Sequence, residues 1–60
     1  PVLKARKRLM SMANGTVLHM RADDPASIID VPHFCIDAGH DLLAQDSKNG
    51  ELNFLIRKQD

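Results

Sequence analysis

Apolar side chains recur at spacings of three and four over the first thirteen positions. Val2, Leu3, Ala5, Leu9, Met10, Met12 and Ala13 gather on one side, and Lys4, Lys7, Arg8 and Ser11 on the other. That period predicts an amphipathic helix from Pro1 to Ala13. Proline suits its first turn, where the missing amide has no partner in any case, and Asn14-Gly15 supplies a left-handed residue to end it. Arg6 breaks the pattern, because it projects into the apolar arc. It is either a side chain that snorkels at the helix edge or a site residue.

The period then changes to two. Thr16, Leu18, Met20 and Ala22 alternate with Val17, His19 and Arg21, which predicts a half-buried strand. Asp24-Pro25 is a helix start: the carboxylate can accept from free amides while proline takes the first helical position. A short helical stretch, Ala26 to Asp30, is expected to be interrupted or restarted at Pro32. Phe34, Cys35, Ile36 and Ala38 carry the pattern on to Gly39, the expected C-terminal cap. Leu42 to Gln45 and Glu51 to Lys58 read as two further strands. In the second, Leu52, Phe54 and Ile56 alternate with Asn53, Leu55 and Arg57, and Asn49-Gly50 marks a tight hairpin between the two. The predicted order is helix, strand, helix, strand, strand, in a single domain over residues 1–60. Three strands under two helices make a narrow sheet, and a helix with no leading strand or capping residue before it suggests a fragment.

With 60 residues, 43% of them apolar, there is material for one thin core and no second domain. Eight basic and eight acidic residues cancel, which removes the simplest argument for a polyanion partner, but their placement is uneven. Residues 1–21 hold five cations and no acid, whereas residues 22–60 hold every acid against three cations. One cysteine cannot close an internal disulfide, so a reducing, cytoplasmic setting is the expectation. No apolar run approaches the ~20 residues that span a bilayer, and no charged-then-apolar signal segment opens the chain. Two aromatics, Phe34 and Phe54, are too few for a base-stacking platform. No phosphate-binding glycine loop or dinucleotide fingerprint occurs.

Pro1-Val2 opening a basic helix, Asn14-Gly15, Ala22-Asp23-Asp24-Pro25-Ala26, Asp30-Val31-Pro32, Phe34-Cys35, Gly39-His40-Asp41-Leu42 and a closing Phe54-Leu55-Ile56-Arg57-Lys58 follow one another in fixed order. In that order and spacing the chain resembles the TusA/SirA-like sulfur carriers along its whole length. The resemblance implies an α/β (α+β) two-layer sandwich of order β-α-β-α-β-β, both helices on one face of a four-stranded sheet, the first strand being absent from this chain. It also implies a function: accepting sulfane sulfur as a cysteine persulfide from a cysteine desulfurase and relaying it to an acceptor protein, with an indirect link to tRNA thiolation. Pro1 matches the second proline of the family's Cys-Pro-x-Pro signature, so the persulfide-carrying cysteine falls three positions before Pro1 and no catalytic residue lies within residues 1–60. Pro1, Lys4, Arg6 and Asp24 would then border that thiol and meet the partner. No cofactor, metal or membrane is implied.

The remaining chemistry-bearing residues have plainer roles. Cys35, between Phe34 and Ile36, reads as a small buried hydrophobe rather than a substitute nucleophile. His33, Cys35, Asp37 and His40 lack zinc-ligand spacing, since His33 and Cys35 point to different sides of a helix and His40 lies past its cap. His19 reads as a solvent-facing strand position and His40 as the turn into the next strand. Adjacent Asp23 and Asp24 diverge and make no acid/base pair. The competing reading is a non-catalytic regulatory or interaction module that binds protein or nucleic acid through the basic first helix.

Overall fold

A computed structural model describes residues 2–59, which form α1 (Val2–Met10), β1 (Val17–Ala22), α2 (Ser27–Ala38), β2 (Asp41–Lys48) and β3 (Glu51–Arg57). β3 is the central strand of the three. β1 pairs with it antiparallel from Val17↔Arg57 to Ala22↔Leu52, and β2 pairs antiparallel on its other side from Asp41↔Arg57 to Lys48↔Glu51. β1 and β2 therefore run in the same direction, and each has one side without a strand among the described residues.

The two-residue alternation decides which face of the sheet is covered. Leu52, Phe54 and Ile56 of β3 are buried together with Met20 of β1, and Ala5 and Leu9 of α1 and Val31, Phe34 and Cys35 of α2 close over them. Both helices thus lie on one face, giving the expected two-layer α+β fold. Burial of each large aliphatic or phenyl group is worth roughly 1.5–3 kcal/mol, so the Leu52-Phe54-Ile56 row is the fold's main anchor. The hairpin forms where Asn49-Gly50 predicts it: both residues have positive φ, 52° and 79°, as a two-residue turn between right-twisted strands requires.

Four local expectations change. α1 stops at Met10 rather than Ala13, because the chain tightens: Ser11 and Met12 donate amides to Arg8 and Leu9 carbonyls, and the Ser11 hydroxyl donates to the Arg8 carbonyl at 2.8 Å. Gly15, at φ 88°, turns the chain into β1 instead of capping the helix. α2 runs unbroken through Pro32. The lost bond would have ended on the carbonyl of Ile28, a residue 47% exposed, so the loss falls on the solvent side. β2 extends well beyond Leu42 to Gln45, and Leu43 bulges between Leu42↔Ile56 and Ala44↔Leu55.

The start and end of α2 follow the sequence closely. Asp24 Oδ1 accepts from the Ala26 amide at 3.0 Å, and the Asp24 and Pro25 carbonyls accept from Ser27 and Ile28, so the chain begins to coil at the predicted place. At the other end Gly39, φ 80°, donates to Ile36 while His40 donates to Cys35, the paired bonds of a Schellman cap.

Candidate functional site

α1 carries four exposed cations on two flanks, and each flank borders a different depression. On the β1 side, Lys4, Ala5 and Arg8 face Leu18, Met20 and Arg21 across a trough of about 310 Å³. Its floor is apolar and its rim cationic. It runs beside the side of β1 that has no strand partner among the described residues. On the α2 side, Val2 and Arg6 face Asp30, His33, Phe34 and Asp37 across a cleft of about 300 Å³.

Arg6 belongs to this second flank and resolves the ambiguity of its place in the pattern. Its guanidinium carbon stands 5.3 Å from the centroid of the Phe34 ring, so the cation rests on an aromatic face and its stem covers the seam between the helices. Phe34 is itself steadied by His40, ring centroids 6.0 Å apart. The Gln59 amide donates to His40 Nδ1 at 3.0 Å, so the ring carries its hydrogen on Nε2. A chain of contacts therefore links Arg6 to the last described residue.

The start of α1 favours an anion on general grounds. Its free amides and the helix dipole are positive there, and the first turn holds no acid to oppose them. Lys4 and Arg6 add charge one turn on. The structure does not bring the four expected site residues to one point. Pro1 lies outside the described residues. Lys4 and Arg6 diverge to opposite flanks of α1, and Asp24 is engaged at the start of α2, with no hydrogen bond or ion pair to either among the described residues.

Cys35 is 2% exposed and belongs to the core. Burial raises its pKa, which keeps it a thiol rather than a nucleophilic thiolate at neutral pH. Because the folded state holds the proton more tightly than the unfolded one, this contribution to stability is present below ordinary thiol titration and is lost as pH rises through the folded value. Among the described residues no three His, Cys, Asp or Glu side chains converge as metal ligands. His33 is exposed on the cleft, His40 is in the turn after α2, and His19 lies on the outer sheet face with Nε2 3.1 Å from Asn53 Oδ1.

Sequence reasoning missed two features. Phe34 was expected only as core, yet its ring also positions Arg6; its spacing on α2 carries no sign of that, since the partner is on another helix. Leu3, Met10 and Ile36 fall within the apolar pattern but are 80%, 75% and 77% exposed. The signal was present: α1 has apolar residues around more of its circumference than one sheet contact can cover.

The profile of the family described as Sulfurtransferase TusA matches residues 1–58. The chain is also 40% identical over 58 residues to the sulfur carrier protein TusA of Allochromatium vinosum, a match covering 97% of this chain and 76% of that relative. The chain belongs to the TusA family. No helix among the described residues is long and apolar enough to cross a membrane.

Proposed function

We propose that this chain is a sulfur carrier that takes sulfane sulfur from a cysteine desulfurase in the cytoplasm and passes it to an acceptor protein, on a route that reaches thiolated tRNA or another sulfur-containing product. The 40% identity to a protein named as a sulfur carrier, sustained over nearly the whole chain, carries the reading. The cysteine three positions before Pro1 is the nucleophile. Its thiolate attacks the terminal sulfur of the donor's cysteine persulfide, a new S–S bond forms on the carrier, and the donor cysteine departs as thiolate. No net oxidation occurs, and the second transfer repeats the exchange with the carrier as donor. The α1 amides and dipole, with Lys4 and Arg6, hold the anionic sulfur. Arg6 and the Asp24 region meet the partner. The strand preceding that cysteine would pair with the free side of β1 and roof the Lys4-Met20 trough.

A polypeptide extended upstream, incubated with desulfurase and labelled cysteine and then mapped by mass, should gain sulfur on the upstream cysteine and none on Cys35. Label on Cys35 at a comparable rate, or no cysteine at the upstream position, would overturn the reading. The four exposed cations of α1 favour one competitor, a module that binds protein or nucleic acid and transfers nothing. That reading gains if RNA binding falls steeply with salt and is lost when Lys4, Lys7 and Arg8 are neutralised.

A further inference from the structure

The outward surface of the helix layer has two apolar ridges and two halves of opposite charge. Leu3 and Met10 stand two turns apart on α1, and Ile29 and Ile36 two turns apart on α2, each at least 72% exposed. Single exposed apolar residues are ordinary, but two such pairs on neighbouring helices of one layer form a patch. α1 carries Lys4, Arg6, Lys7 and Arg8 and no acid, while α2 carries Asp30 and Asp37 and no lysine or arginine. Among the described residues the ion pairs are Arg21–Glu51 and Arg57–Asp41, both on the sheet, so neither half of the helix layer is neutralised by the other.

We propose that this face docks onto the same face of a second copy of the chain. A two-fold axis along the α1–α2 seam lays α1 of each copy on α2 of the other. It sets Leu3 and Met10 against Ile29 and Ile36 of the second copy, and the basic half of each face against the acidic half of the other. An axis across the seam would lay α1 on α1 and oppose like charges, so charge selects the first arrangement. Three observations point to a second copy rather than an unrelated partner: the self-complementary charge, the matched two-turn spacing of the ridges, and the absence of internal neutralisation. With α2 about 18 Å long at ~1.5 Å per residue, the contact falls under about 1,200 Å², in the class of weak, transient association. The paired state covers Arg6. Self-association would therefore compete with any partner that docks there, and the free carrier would be released on dilution.

Sedimentation equilibrium of the complete polypeptide from about 10 µM to about 1 mM should show a concentration-dependent dimer that weakens with added salt. Ile36→Asp should abolish it while leaving the circular dichroism unchanged, since the residue is exposed. Lys7→Asp and Asp37→Lys should each weaken it about tenfold, because each homodimer then opposes like charges twice. Mixing these two variants should restore association, because a mixed pair opposes unlike charges at both contacts. A protein that stays monomeric at about 1 mM would overturn the proposal and leave the face to a foreign partner. A dimer indifferent to Ile36→Asp, or single charge variants that do not complement on mixing, would overturn it in favour of another surface such as the side of β1.

Discussion

β1 and β2 flank the same central strand and are opposite in character. On the covered face of the sheet, β1 presents Leu18, Met20 and Ala22, all buried or half-buried, and leaves an apolar trough beside it. β2 presents Leu42 and then Gln45 and Ser47, and is exposed over most of its length. It also bulges at Leu43 and carries Asp41, Asp46 and Lys48. Bulges and charges are how proteins protect a strand that ends a sheet, and β2 has both. β1 has no bulge and one charged residue, Arg21, on its outer face, and keeps an apolar inner face up to the side that has no strand among the described residues. The contrast teaches that β2 carries both protections of a sheet edge, whereas β1 relies on one charge and keeps apolar side chains beside its open side among the described residues.

The row Met20↔Phe54↔Gln45 crosses all three strands and offers the most direct way to break this comparison. Met20→Ala should cost about 2–3 kcal/mol, as removal of a buried side chain does, whereas Gln45→Ala should stay within about 0.5 kcal/mol. Urea denaturation of both variants measures the difference, and equal costs would erase the distinction between the two strands. Next in size, Gly50→Ala should destabilise by about 1 kcal/mol, because φ 79° strains any residue with a Cβ; β2 would loosen from the hairpin end while β1 kept its amide protection in hydrogen exchange. Asp24→Ala, which removes the acceptor of the Ala26 amide where β1 leads into α2, should cost about 1 kcal/mol in the same denaturation series. The smallest effect belongs to the β2 boundary. Asp41→Asn, which breaks a half-exposed pair with Arg57 at 4.0 Å, should change stability by less than about 0.5 kcal/mol and by less still in high salt.

The elements legible in the sequence were those fixed by local chemistry. Asn49-Gly50, Gly39 and Asp24 each act on backbone groups within a few residues, so their turns and caps stand where the sequence put them. The alternation of Leu52, Phe54 and Ile56 was equally plain, because one face of β3 is wholly covered. What escaped depended on distant groups. The length of β2 comes from a partner strand, so its polar end Asp46-Ser47-Lys48 gave no sign of pairing. Pro32 stays helical because packing of Val31, Phe34 and Cys35 outweighs one missing bond on the solvent side. At the site, the dipole and cations of α1 were legible, but the hold of Phe34 on Arg6 was not, since the two residues belong to different helices.

The Lys58 ammonium donates to the Leu9 carbonyl at 2.7 Å, satisfying the end of α1 from the far end of the chain. Among the described residues β1 and β2 likewise pair only with β3, the latest of the three strands to be made. The Leu9 carbonyl is made 49 residues before its closing cation, and among the described residues β1 and β2 have no strand partner until β3 emerges. The described sheet and the end of α1 therefore close only after Lys58 has left the ribosome.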